Sequence, residues 1–328
     1  MRRRDFIAFA GGAAAAWPLA ARAQQTSQTR RIGVLMSIAE GDTEQPRVMA
    51  FRKGLQELGW VEGRNIRIDI RWASFDAALM QRFAKELVDL QPDLILSQNT
   101  PTTAALLQQT RTIPIIFAIV SDPVGSGFIA SFPRPGGNVT GFTNIEPTMA
   151  GKWLELLKEI APRVTRAAFL FNPTTAPYAE YYVSPLKAAA VSFSLEAIAA
   201  PVRDTSELES AIAAQARAPN GSLVVLPDSF LVAHSAEIIS LAARYRLPAV
   251  YPFRTFIELG GLLSYGNDLF EGFRRAATYA DRILKGATPS ELPVQAPVRF
   301  ELVINRKTAE ALGLDPVDLA QRADKVIE

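Results

Sequence analysis

Short apolar runs separated by amphipathic runs of about ten to fifteen residues recur along this chain, and that alternation restricts its fold more than any other feature. RIGVLMS (31–37), NIRIDIRWA (65–73), DLILS (93–97) and IPIIFAI (113–119) read as strands, with helices expected at 45–58, 76–90 and 101–110 between them. In the first helix Val48, Phe51, Leu55 and Leu58 share one face, and Gly59 stops it as a C-terminal glycine does. Strands separated by whole helices cannot form tight hairpins and must pair parallel, which makes a doubly wound α/β sheet. After the Pro/Gly-rich stretch FPRPGGNVTGFTN (132–144) the pattern restarts. Helices are expected at 148–160, 178–190, 204–217 and 231–245, and strands at 166–172, 192–200, 222–228 and 248–252. A late strand (261–266), a helix (269–285), the proline-punctuated segment 292–305 and a closing helix (307–313) complete the chain. Two α/β lobes built on one plan are the economical reading, without a residue-level repeat.

The first residues, MRRRDFIAFAGGAAAAWPLAARAQQ, read as an export signal rather than as part of a lobe. A basic start, a short apolar run and Ala21-Arg22-Ala23 meet the pattern cut by signal peptidase, which puts cleavage after Ala23. The apolar run is shorter than the roughly 20 residues a membrane span needs. Arg3-Arg4-Asp5-Phe6-Ile7 also resembles the twin-arginine signal, against the alternative of an Arg-rich general secretory signal. The expected product is a soluble periplasmic protein beginning at Gln24. Residues 1–23 take four arginines and one aspartate with them, so the formal +2 of the whole chain falls to −1 in residues 24–328. Nucleic acid is therefore not an expected partner. The chain has no Cys, so disulfides cannot staple it, and a large apolar core must hold it together.

Catalytic patterns fail one after another. The single His, His234, falls inside an expected helix, and without Cys neither a Cys–His pair nor a multi-His zinc site can be built. No nucleophile elbow, P-loop or dinucleotide fingerprint is present. Catalysis, metal and cofactor are accordingly not expected. What recurs instead is a polar residue at nearly every strand end, the edge where open α/β sheets bind ligands. The first lobe offers Ser37, Gln98, Asn99, Thr100, Ser121 and Asp122, followed by Thr143 and Asn144 where the chain crosses over. The second offers Asn172, Asp228 and Ser229, then Tyr251 and Tyr265. Any one of the short polar residues is well explained as a helix cap. The set as a whole points to a cleft.

IGVLMS…AFRKGLQELGW, PDLILSQNTPTTAALLQQTRTIPIIFAIVSDPVGSGF, GGNVTGFTN and GLLSYGNDLFEGFRRAATYADRILKGATPSELPVQAP resemble, in order, the ABC-transporter substrate-binding family of the tryptophan/tyrosine-transport type. That resemblance implies the type I periplasmic-binding-protein architecture, with two Rossmann-like lobes, three hinge crossings and ligand held between the lobes. The family's G-T-P-A turn corresponds to Asn99-Thr100-Pro101-Thr102, its T-D-P-V to Ser121-Asp122-Pro123-Val124, and its P-T-D-N to Leu226-Pro227-Asp228-Ser229. Two departures stand out: Ile38-Ala39-Glu40-Gly41-Asp42 replaces an H-P element, and Ser229 replaces an Asn.

Crossings are expected near 143–146, 260–264 and 290–294. They divide the chain into a first lobe of 24–144 plus 262–290 and a second of 145–261 plus 291–328. The implied function is an exported solute-binding protein of an ABC importer, acting as a monomer and delivering an amino acid or aromatic or organic acid to an ABC permease. In such a cleft Asp122 or Asp228 can pair an ammonium, the helix starting near Pro101 can hold a carboxylate, and Tyr178, Tyr251 and Tyr265 can wall an apolar tail. The alternatives are an exported carboxylate-based hydrolase on a related fold and a sensory protein presenting its closed form to a membrane receptor.

Overall fold

A computed structural model describes residues 29–41 and 45–328. The expected signal, its cleavage site and Asp42 lie outside the described residues.

The chain forms two sheets. The first is five parallel strands in the order β2-β1-β3-β4-β5: β1 (Arg30–Met36), β2 (Ile66–Trp72), β3 (Leu94–Ser97), β4 (Ile115–Val120) and β5 (Val139–Thr143). Strands β3 (LILS) and β4 (IIFAIV) are buried at every position, as central strands covered on both faces must be. Helices α2 (Ala77–Asp89) and α3 (Thr100–Gln109) cover one face, and α1 (Gln45–Glu57) the other. Leu58, expected on the buried face of α1, lies beyond its end and is 39% exposed. Strand β5 comes from the stretch that reads as a linker. Gly141 makes it possible: at φ +151° it passes Phe117 so closely that a Cβ would lie 2.1 Å from the Phe117 carbonyl oxygen.

After β5 the chain crosses into α4 (Met149–Ile160) and builds a seven-stranded sheet. Its parallel centre is β7 (Glu196–Pro201), β6 (Arg166–Phe171), β8 (Gly221–Val225) and β9 (Ala249–Tyr251). Helices α5 (Glu180–Ser192), α6 (Thr205–Arg217), α7 (Ser229–Ala233) and α8 (Ser235–Arg244) connect these strands, and α9 (Arg254–Glu258) follows β9. The single helix expected at 231–245 is two, broken at His234. There Nδ1 meets the Phe230 carbonyl at 2.8 Å and the ring packs on Phe230 at 4.2 Å.

The late strand β10 (Leu263–Asn267) corrects the expected lobe boundary. It pairs parallel with β9 and antiparallel with β11 (Phe300–Asn305), so it belongs to the second sheet and not to the first lobe. Backbone pairing with β9 and the Trp153 Nε1–H bond to the Tyr265 carbonyl (2.7 Å) hold it there. Only after Asn267 does the chain return, as α10 (Leu269–Leu284), to pack on α1 and β4 of the first lobe. Gly272 lets α10 lie against the sheet, since a Cβ would sit 2.3 Å from the Ala118 carbonyl oxygen. The third crossing also falls later than expected. Val294 and Gln295 still donate to Phe132 and Gly141 of the first lobe, and the chain reaches the second sheet at β11. Helices α11 (Arg306–Ala311) and α12 (Val317–Arg322) and edge strand β12 (Lys325–Ile327), parallel to β11, close the fold.

Among the described residues no helix is long and apolar enough to cross a membrane.

Candidate functional site

Caps at the strand ends carry the polar groups to one place. Asn99 begins α3: its Oδ1 accepts the Thr102 N–H (3.3 Å), and Thr102 Oγ1 accepts the Asn99 N–H (3.0 Å), a reciprocal capping box. With its oxygen held by the cap, the Asn99 amide nitrogen points outward. It donates to Ser37 Oγ at the end of β1 (2.8 Å) and to Ser229 Oγ at the start of α7 (3.0 Å). The second of these bonds joins the two lobes. Gln98 completes the first-lobe rim, its Oε1 accepting the Ser37 N–H (2.9 Å) and hydroxyl (3.1 Å). Ser121 donates to Asn144 Oδ1 (3.0 Å), which ties the end of β4 to the first crossing.

Between these edges lies a cleft lined from both lobes, with about 470 Å³ of space when the open solvent at its mouth is included. Of the residues expected to face a cleft, Ser37, Gln98, Asn99, Thr100, Ser121 and Asn144 line it from the first lobe. Tyr178, Asp228 and Ser229 line it from the second. Tyr178 donates to the Pro227 carbonyl (2.7 Å), and burial pushes its hydroxyl well above the ordinary tyrosine value.

Five expected residues do not line this cavity. Asp122, at φ +36°, accepts the Gly125 N–H (2.8 Å) and closes its own turn. Asn172 is used by its loop, accepting from Thr174 N–H (2.8 Å) and donating to the Arg203 carbonyl (3.1 Å). Tyr251 points into the core and stacks on Phe256 at 5.1 Å, and Tyr265 stacks on Phe300 at 6.0 Å. Thr143 sits under the crossings, where its buried Oγ1 and the buried Oδ1 of Asn267 have no partner among the described residues.

Asp228 is both a cap and a cavity residue. Its Oδ1 accepts the Phe230 N–H (2.9 Å) and the Thr175 hydroxyl, and its Oδ2 accepts the Asn172 N–H (2.6 Å). Burial nevertheless dominates and pushes the carboxyl up to about 6, against these three bonds and the nearby His234.

The strand-end pattern missed the rest of the lining. Arg47, in the first turn of α1, is 5% exposed and lines the cavity. It lies four residues before Phe51 on the inward stripe of the helix, so a cation on an apolar face was the available signal. Phe75, Ile119, Val232, Phe253 and Leu269 add an apolar wall. Phe75 stands out because Ser74 (φ +49°) and Phe75 (φ +60°) are successive left-handed non-glycine residues. Each costs on the order of 1 kcal/mol or more, and the Phe75 N–H bond to the Ser37 carbonyl helps hold this strained turn beside the cavity. Among the described residues no group of His, Cys, Asp and Glu could hold a metal ion.

The chain as a whole, in sequence and in fold, is similar to known proteins. A family model described as "ABC transporter substrate binding protein" matches residues 31–327. A tyrosine-binding protein of Clostridioides difficile (strain R20291) is 28% identical over 292 residues, which cover 88% of this chain and 82% of that protein. Among solved structures, the ABC domain from Streptococcus pneumoniae in complex with L-Trp superposes with a TM-score of 0.84 at 26% identity, covering 92% of this chain and all of that one. The ligand-free, open structure of a Clostridium difficile substrate-binding protein gives a TM-score of 0.67 at 25% identity, covering 87% of this chain and 95% of that one. The architecture is that of the type I periplasmic binding proteins.

Proposed function

The chain belongs to the ABC transporter substrate-binding protein family, and from that premise we propose that it binds an amino acid or aromatic or organic acid between its lobes and delivers it to an ABC permease. One observation carries this reading: the cavity is lined from both lobes and is bridged by the Asn99–Ser229 bond, so closing the lobes and completing the site are one event. Three crossings, after Thr143, after Asn267 and after Gln295, supply the hinge that absorbs such a motion. The closer superposition on the L-Trp complex than on the open structure supports a closed arrangement of the lobes. The tyrosine and tryptophan named for the two relatives support a ligand with an aromatic body. Export by the N-terminal signal and action in the periplasm belong to the same proposal. Binding without turnover belongs to the same proposal, and it is supported by Gln98, Asn99 and Asp228, described cavity residues whose polar atoms are held in caps and in bonds to one another.

A thermal-shift screen over aromatic amino acids and aromatic carboxylic acids, followed by small-angle scattering, tests the proposal. A ligand at 100 times its Kd adds about 2.7 kcal/mol to stability, and the protein contracts as the lobes close. No shift and no contraction with any of these compounds would contradict it.

A further inference from the structure

Phe75 is held in a backbone conformation that bulky side chains avoid, and the reason bears on what the cleft recognises, resting on the reading of the cleft as the ligand site. It stands just before Asp76, which caps α2 by accepting the Leu79 N–H (2.9 Å). An apolar residue in that place ordinarily staples onto the fourth residue of the helix, here Met80. Phe75 does not. Met80 packs with α2 and α3 on one face of the first sheet, and Phe75 packs with the cluster on the other, which includes α1. Two successive left-handed residues, Ser74 (φ +49°) and Phe75 (φ +60°), turn the ring away from α2. Such backbone suits Gly or Asn and is rare for a large side chain. The turn is pinned to the end of β1: the Ala73 N–H bonds the Met36 carbonyl (2.9 Å), the Ser74 N–H the Ile38 carbonyl (3.2 Å) and the Phe75 N–H the Ser37 carbonyl. Ser37 is also the residue whose hydroxyl takes the Asn99 amide, so the strained turn is anchored on the cleft rim.

What the strain achieves is a ring in the cavity. Phe75 lines it from the first lobe and is half-buried, and Phe253 lines it from the second and is buried. The third aromatic of the lining, Tyr178, is already engaged, with its hydroxyl on the Pro227 carbonyl and its ring edge-on to Tyr182 at 6.2 Å. Among the described residues neither Phe75 nor Phe253 stacks on another ring. Two unstacked rings, one from each lobe, therefore border the same space.

We propose that Phe75 is the residue by which the cleft selects an aromatic ligand: its ring stacks on the ligand's ring from the first lobe, and Phe253 meets that ring from the second as the lobes close. An aliphatic body of similar size buries a similar area but lacks the ring-to-ring attraction, which is worth roughly two- to tenfold in affinity for each pair.

Titration calorimetry with L-phenylalanine, L-tyrosine, L-tryptophan, 3-phenylpropanoate and indole-3-propanoate, against L-leucine and 4-methylpentanoate, tests this on the wild type, Phe75→Leu and Phe75→Tyr. Leu keeps an apolar side chain on the same left-handed backbone, and Tyr keeps the ring. The tightest aromatic probe is expected to bind the wild type at least about threefold more tightly than its aliphatic counterpart. Phe75→Leu is expected to weaken that probe at least about threefold and to leave the aliphatic one unchanged, while Phe75→Tyr retains the preference. The comparison of probes on the wild type stands whether or not a variant folds. Aliphatic probes binding as tightly as aromatic ones, or a preference that survives Phe75→Leu, would overturn the inference while leaving the cleft a ligand site. Silence from every probe would contradict the proposed function, and the inference would fall with it.

Discussion

Replacing Asp228 with Asn separates the charge of this residue from its role as a cap. Asn keeps an oxygen to accept the Phe230 N–H, so α7 remains capped. It presents an amide nitrogen in place of Oδ2, so the Asn172 N–H loses its acceptor, at a cost that does not depend on pH. The charge does depend on pH. Burial raises the folded-state value from the ordinary 3.8 to about 6. For a group whose folded value is raised, the stabilising contribution is fully present below about 3.8 and is lost as pH rises through about 6. The displacement corresponds to about 3 kcal/mol. The stability of the wild-type chain relative to Asp228→Asn should therefore fall by about 3 kcal/mol between pH 4 and pH 7, on top of the constant offset. Urea unfolding of both proteins at half-unit pH intervals measures it, since all other titrating groups cancel in the difference. A difference that is flat with pH, or that grows toward pH 7, would refute the account of a carboxylate destabilised by burial.

Other substitutions probe the cleft and the hinge. Asn99→Ser retains a capping oxygen for α3 but lacks the amide that reaches Ser229, so melting should change little while binding weakens by about 0.5–1.5 kcal/mol. Thr143→Val removes a buried hydroxyl that has no partner among the described residues and keeps the side-chain shape, so chemical denaturation should show stability unchanged or raised by up to about 1 kcal/mol.

The two α/β lobes were legible because hydrophobic periodicity is a local property: DLILS and IPIIFAI have no polar face to turn outward, and helix-length segments between them forbid hairpins. The rim was legible for a related reason. Asn99, Asp228 and Ser229 sit where a strand hands over to a helix, and that junction defines the cleft edge. The allegiance of β10 was not legible, because GLLSYG would suit a vacant edge of either sheet, and its place is decided by pairing with β9 and β11. Strand β5 was hidden by the Pro and Gly residues before it and by Gly141 within it, yet Gly141 is what lets it approach β4. Tyr251 and Phe253 show the limit most clearly. Two residues apart, they are equally apolar in sequence, yet the first stacks in the core and the second walls the cavity. Asp122 and Asn172 were read as cleft residues, but each closes a turn that uses up the polar atoms a ligand would need.

The central claim is that ligand sits between the lobes, and a crystal structure of the protein grown with the most stabilising compound of the thermal-shift screen, as probe, tests it most directly. The account predicts density for the probe in the cavity, in contact with residues of both lobes and with its ring against Phe75 and Phe253. It also predicts that Asn99 and Ser229 remain bonded across the closed cleft. A probe bound on the outside of either lobe, or an unoccupied cleft standing open at saturating probe, would contradict it.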